Sequence, residues 1–270
     1  MTQLQRTFLV AAAALGMVLP STAQLIAYEG FDYNSGLDLA GLSGGTGWTN
    51  NWSFSTSPTA TVKTQANSVL TGGAFTGGSA FASSGRLSNF SREFTPSTGR
   101  VWASIAIRFT EILNNSVLEF NLSPAGQNGG ATKAEIRTNG SGVTTLQTFH
   151  DFPGAGVTSS FTPVIGQVYT FVMTYNTGGA APTGIYVNPV YGASDPSGAT
   201  HSAVFTGGNW GAANLGRFRA FYDRVAFDID EIRIGNTYQD VTPVPEPMTM
   251  SLLALGAAAV AARRKRKQTR

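Results

Sequence analysis

Between Gln24 and Val241 apolar residues recur at every second position, and the runs are separated by glycine-rich breaks. In Arg100 to Phe109, the side chains of Val101, Ala103, Ile105, Ile107 and Phe109 share one face. Leu118, Phe120 and Leu122 do the same in Val117 to Leu122, and Tyr169, Phe171, Met173 and Tyr175 in Val168 to Tyr175. A period of two marks a strand with one face packed and the other nearer solvent. Shorter candidates are Leu25 to Tyr28, Thr61 to Leu70, Ala131 to Thr138, Val143 to Phe149 and Ile185 to Asn188. No stretch of this body keeps a helical period for three turns. Many short strands without helices predict an all-β fold, a sandwich of two packed antiparallel sheets.

The final run is more specific. From Val225 to Ile234 the apolar phase is Val225, Phe227, Ile229, and then it shifts by one to Ile232 and Ile234. A bulge near Asp230 and Glu231 would return both sets to the core face, because one inserted residue reverses a period of two.

Both ends depart from this pattern. Residues 1–23 carry Arg6, an apolar run from Phe8 to Leu19, a break at Pro20 and the small pair Ser21 and Ala23, the arrangement of a secretory signal peptide that leaves Gln24 as the first mature residue. At the other end, residues 242–270 contain a proline-rich stem over 243–247, an apolar stretch from Met248 to Ala262 and a basic tail over 263–270. Fifteen helical residues rise about 22 Å, short of the roughly 30 Å hydrocarbon core, a gap that snorkelling of Arg263, Arg264, Lys265, Arg266 and Lys267, local thinning or a thin inner membrane could close. The positive-inside bias keeps those five side chains in the cytoplasm and the body outside, anchored in the inner membrane. One folded domain over 24–241 then lies between two targeting segments.

Composition narrows the chemistry. The chain has no cysteine, which removes disulfides, thiolate metal sites and thiol catalysis, and its two histidines, His150 and His201, are too few for a three-histidine zinc site. The formal charge of +3 is a property of the tail: residues 24–244 carry 11 basic and 14 acidic side chains, a net −3. No basic stripe interleaved with aromatics is found there, so a nucleic-acid partner is not expected. The glycine runs lack the order and the following helix of a phosphate cradle and read as loops.

Val244 to Pro247 (VPEP), the short apolar helix and the arginine/lysine cluster, in that order, resemble the PEP-CTERM protein-sorting domain of Gram-negative bacteria. The resemblance implies that Pro245, Glu246 and Pro247 are recognised by an exosortase, a membrane-embedded cysteine transpeptidase. It also implies a route to the cell surface or matrix in bacteria that make exopolysaccharide. In the body, Phe227 to Gly235 (FDIDEIRIG) resembles the closing strand of laminin-G-like or concanavalin A-like jelly rolls. Tyr28 to Tyr33 (YEGFDY) with Trp48 and Trp52 resembles the opening of similar surface modules.

Three chemistries follow from that fold. Jelly-roll glucanases of the laminarinase type place their carboxylates as Glu-x-Asp-x-x-Glu, and retaining glycosidases need two of them about 5 Å apart. No such string occurs, so a non-catalytic protein is expected. For calcium, which takes six to eight oxygens, the candidate donors are Asp223, Asp228 and Asp230, with Asp32 and Glu29; the alternative for Asp228 and Asp230 is a solvated position or pairing with Arg217, Arg219 or Arg224. For sugar, Trp48, Trp52, Tyr191, Trp210 and Tyr222 are the candidate stacking rings, set against packing at a sheet edge or core end. A structural or adhesive matrix component and a lectin-like carbohydrate-binding module, each with exopolysaccharide as its neighbour, both remain open at this point. Signal peptidase and exosortase are the processing partners in either case. N-terminal sequencing of envelope-associated protein should begin at Gln24; an intact Met1 on exported protein would contradict the signal-peptide reading.

Overall fold

The computed structural model describes residues 25–55, 61–68, 78–84, 87–127, 132–150, 157–177, 183–206 and 214–242. The signal segment, Trp210 and the whole sorting segment from Pro243 lie outside them. In chain order the strands are β1 (Leu25–Glu29), β2 (Ser53–Ser55), β3 (Val62–Gln65), β4 (Ser79–Ala82), β5 (Ser88–Ser97), β6 (Arg100–Ser123) and β7 (Thr132–Thr138). They continue with β8 (Thr144–His150), β9 (Val157–Ser160), β10 (Val168–Asn176), β11 (Thr183–Val187), β12 (His201–Phe205) and β13 (Leu215–Gly235), followed by a single helical turn, α1 (Tyr238–Val241).

Two strands are long enough to serve both layers. β6 has 24 residues and β13 has 21, and they pair antiparallel along nearly their whole length. The first half of β6 and the second half of β13 lie in sheet one, with order β12-β11-β10-β6-β13-β4-β3 and β1 also on β13. Their other halves lie in sheet two, where β7, β8 and β9 extend from β6 and β5 and β2 extend from β13. The ribbon turns over where Ile112 pairs with Val225 and Val117 with Asp223, so that four residues of β6 pass a single one, Arg224. Asn115 (φ 58°) and Arg224 (φ 56°) take left-handed backbone at this corner, a conformation asparagine tolerates better than most residues.

The two inner faces meet in an aromatic core. Phe171 of sheet one lies 6.3 Å from Phe120 of sheet two and from Phe109, and 5.8 Å from Phe161. Tyr222 and Phe227, on either side of the corner in β13, stack edge to face at 5.5 Å. The expected bulge is present: Asp230 pairs with Ala106 and Arg233 with Ser104, so Glu231 and Ile232 together oppose Ile105. Glu231 adopts φ 53°, and Ile229, Ile232 and Ile234 are all fully buried. The alternation therefore resumes in the correct phase for the core.

Sheet one is also covered on its outer side. Trp102, Val172, Tyr238 and Val241 form a second small apolar cluster, flanked by Tyr186 and Ala193. Trp102, on the face opposite Ile105, packs edge to face on Tyr238 at 5.4 Å. The turn α1 is fixed by a capping box, in which Thr237 Oγ1 accepts from the Asp240 amide and Asp240 accepts from the Thr237 amide. Among the described residues no helix is long and apolar enough to cross a membrane, and the stretch Met248 to Ala262 is not among them.

Truncating Phe171 removes a ring that bridges both sheets. Phe171→Ala should cost about 3–5 kcal/mol in urea unfolding with an unchanged slope; a loss under about 1 kcal/mol, the size of a single buried methylene, would show that this ring is not central to the core.

Candidate functional site

The N-terminal aromatics surround a buried ion pair. Glu29, at the end of β1, and Arg92, an inward position of β5, are both buried and meet at 2.6 Å. Glu29 Oε1 accepts from the Phe31 amide at 2.9 Å, while Oε2 accepts from the Tyr33 hydroxyl at 2.8 Å and from Trp52 Nε1 at 3.2 Å. Burial pushes the Glu29 carboxyl up; the bonds from Tyr33 and Phe31 and the Arg92 charge act against that. Burial, and then the Glu29 charge, push the Tyr33 hydroxyl up to about 12, which keeps it a donor at neutral pH. Arg92 also donates to the carbonyls of Asn50 and Gly44, and its guanidinium lies 5.2 Å from the centre of the Trp48 ring and 5.6 Å from that of Trp52. The glycine run after Leu39 lets the chain approach this close: at Gly47 (φ 76°) a Cβ would stand 1.9 Å from the Ile26 carbonyl oxygen.

This arrangement corrects part of the expected sugar site. Trp52 is buried in the core, and Trp48 is half-buried with its indole N–H donating to the Tyr28 carbonyl at 2.9 Å. Tyr222 is not in a loop: it is a fully buried inward residue of β13. Tyr191 is half-buried and hydrogen-bonded to Thr170 Oγ1 at 3.2 Å. The structure does not bring these four rings to one surface, and Trp210 is outside the described residues.

The calcium set is not assembled either. Asp223 lies before the corner of β13, on the outer side of sheet two, and its Oδ1 accepts from the Leu87 amide. Asp228 and Asp230 lie beyond the corner, on the outer side of sheet one. There Asp228 is bound by Arg108 at 2.7 Å and by Gln65 Nε2 at 2.7 Å, and Asp230 accepts from the Ser68 hydroxyl and the Glu231 amide. The partner of Asp228 is thus Arg108, not Arg217, Arg219 or Arg224, and both residues are buried, not solvated. Asp32 is exposed, and Glu29 is committed to Arg92. Among the described residues no three histidine, aspartate or glutamate side chains lie close enough to hold a metal ion.

The face with binding chemistry is the outer side of sheet two. In β6 the residues opposite Leu118, Phe120 and Leu122 are Glu119, Asn121 and Ser123, all buried. Register places Phe221 beside Glu119, Glu119 beside Glu135, and Glu135 beside Gln147. The next row sets Ser91 beside Arg219 and Arg219 beside Asn121. Asn121 Nδ2 donates to Glu119, while its Oδ1, fully buried, has no hydrogen-bond partner among the described residues. Arg137 donates to both oxygens of Glu135, and Arg217 Nη2 donates to Ser91 Oγ at 2.7 Å. Around this floor Phe221, Arg219, Asn89 and Gln147 are half-buried, and Arg137 and Thr158 are exposed. The Arg219 guanidinium lies 5.5 Å from the centre of the Phe221 ring. The two carboxylates of this floor, Glu119 and Glu135, come from neighbouring strands, one each, unlike the single-strand glucanase arrangement. The alternation of β6 already pointed Glu119 and Asn121 outward; their partners were not visible because β5 and the first half of β13 were not recognised as strands.

Residues 243–267 match the family model of the PEP-CTERM protein-sorting motif. The chain carries that motif. It implies an exosortase as processing partner and marks an exported, PEP-CTERM-tagged protein. No curated protein matches the chain. Among solved structures the globular domain of T. cruzi calreticulin is similar, at 12% identity over 79% of this chain and 94% of that one with a TM-score of 0.50. Lectin II from Ulex europaeus matches at 12% identity, over 77% and 97%, with a TM-score of 0.43. A family 16 glycosyl hydrolase from Mycobacterium smegmatis matches at 11%, over 78% and 100%, with a TM-score of 0.46. At such identities the likeness shows a jelly-roll-like fold and nothing finer.

Glu29→Gln removes the charge opposite Arg92 while preserving the shape of the side chain. Because a buried guanidinium is left without its counter-ion, the variant should lose about 3–5 kcal/mol of stability. Chemical denaturation followed by tryptophan fluorescence measures this, and a variant as stable as the parent would contradict the ion pair's role.

Proposed function

We propose that the PEP-CTERM-tagged protein is a surface-displayed carbohydrate-binding module, and that the ligand lies across the outer face of sheet two. The observation that carries this reading is the floor formed by Glu119, Asn121 and Glu135, with Phe221 beside it. Carboxylate and amide oxygens accept sugar hydroxyls, the arginine N–H groups donate to ring and hydroxyl oxygens, and a half-buried phenyl offers an apolar edge to a pyranose. A buried acceptor without a partner, Asn121 Oδ1, gains a hydrogen bond when a hydroxyl reaches it. The mixed charges of the face, with arginines alternating with carboxylates, suit a neutral or weakly charged polysaccharide.

The role is non-catalytic in this reading. One member of the Glu119–Glu135 pair, Glu135, is engaged on both oxygens by Arg137, and the Glu-x-Asp-x-x-Glu string of the glucanases does not occur. The exosortase-processed protein then contributes adhesion to a polysaccharide matrix.

A glycan array probed with residues 24–242 should give retention on neutral oligosaccharides. Phe221→Ala should weaken the best of these by about tenfold, equivalent to about 1.4 kcal/mol, with unchanged circular dichroism. Binding that survives this substitution and Glu119→Ala would remove the site from sheet two. Sugar release from the same oligosaccharides would replace binding with hydrolysis.

A further inference from the structure

The last described residue is held firmly. Thr242 is fully buried; its amide and hydroxyl both donate to the Tyr238 carbonyl, at 3.0 and 2.8 Å, and its own carbonyl accepts from the Gly192 amide at 3.1 Å. Ser104 Oγ of β6 donates to the Val241 carbonyl at 2.7 Å, and the Tyr238 hydroxyl donates to the Val190 carbonyl at 2.8 Å. With Trp102 and Val172 packed beneath, α1 is a clasp on the outer face of sheet one, over the start of β6 and the middle of β10, two strands that are interior to the sheet. The sorting segment begins one residue later.

That leaves little slack. The five residues 243–247, among them Pro243, Pro245 and Pro247, can reach at most about 18 Å in any conformation. A body of about 220 residues has a radius of gyration of roughly 17 Å. Five residues are too few to pass around the sandwich to its other side. The two outer faces of a sandwich point in opposite directions, so the clasp decides which one meets whatever holds the tail. Around it lie half-buried Tyr186 and Tyr191 and the exposed Val190, side chains with apolar bodies that tolerate a bilayer interface.

We infer that α1 is an orienting clasp: in the tail-bearing form it turns the outer face of sheet one toward the lipid surface and holds the polar face of sheet two away from it. This inference rests on the membrane-anchor reading of Met248 to Ala262, and its test separates the two. Exosortase would meet the stem with sheet one beside it. The polysaccharide face would be open to the matrix before processing as well as after.

The chain has no cysteine, so single labels need no background removal. The full-tailed chain, reconstituted in phosphatidylethanolamine/phosphatidylglycerol vesicles with headgroup nitroxide quencher, would carry a fluorophore at Val190→Cys or at Thr158→Cys on β9. The label at position 190 should lose most of its emission and the label at 158 should keep its own. Adding Tyr238→Ala, which removes the ring packed on Trp102 and the bond to the Val190 carbonyl, unfastens the clasp and should bring the two labels to similar quenching. Vesicle co-flotation with equal quenching of both labels in the parent chain, or with stronger quenching at 158, would overturn the orientation while leaving the anchor intact. Failure to float with the vesicles would overturn the anchor reading and the orientation with it.

Discussion

The whole architecture depends on one pairing, that of β6 with β13. Each strand is long enough to run through sheet one, turn at the corner and return through sheet two, and their mutual hydrogen bonds hold both layers in a single register. The corner does two things. It closes one end of the sandwich by covalent continuity, and it keeps the inner face inner on both sides, since Phe109 and Phe227 on the sheet-one side and Phe120 and Tyr222 on the sheet-two side all enter the same core. Every other strand adds to one edge of this folded ribbon. A one-residue slip anywhere along it would carry an entire apolar set to the surface.

The two outer faces then diverge for local reasons. Sheet one is sealed. Acidic side chains of β13 are neutralised there by Arg108 and Arg233, and Glu231 also accepts from Tyr28, so carboxylates that resemble a metal or catalytic cluster in sequence serve to fasten β1 and the segment after β3. The Glu29–Arg92 pair extends the same logic inside the core, where it ties the first strand, the tryptophan-bearing loop and β5 to one charge. Sheet two has no comparable cover of helix and loop among the described residues, and its buried floor retains a polar atom without a partner. That contrast is the ground for proposing sheet two as the binding side.

Much of sheet one was legible because its strands alternate cleanly, and the bulge at Glu231 could be placed from the phase shift of five apolar residues. β5 was not, because its inward row reads Phe90, Arg92, Phe94: a charged residue at a core position breaks the pattern, and its partner Glu29 lies 63 residues away. The first half of β13 was hidden in the opposite way, since outward Phe221 stands beside inward Tyr222 and erases the alternation. Missing those two strands had a direct cost for the site. Tyr222 could not be assigned to an inward row, and the β13 neighbours of Glu119 and Asn121, Phe221 and Arg219, were hidden. The sorting motif was fully legible, because its order of proline stem, apolar run and basic cluster is a property of sequence and needs no partner elsewhere in the chain.

The central claim is that one face of the ribbon binds sugar and the other faces the tail. Titrating isotope-labelled residues 24–242 with the neutral oligosaccharide best retained on a glycan array, and following backbone and side-chain amide resonances, tests it most directly. The account predicts saturable shifts at Glu119, Asn121, Glu135 and Phe221, including the Asn121 side-chain amide, with Trp102, Tyr186 and Val190 unmoved. Shifts centred on Trp102, Tyr186 and Val190, with the sheet-two residues unchanged, would contradict it.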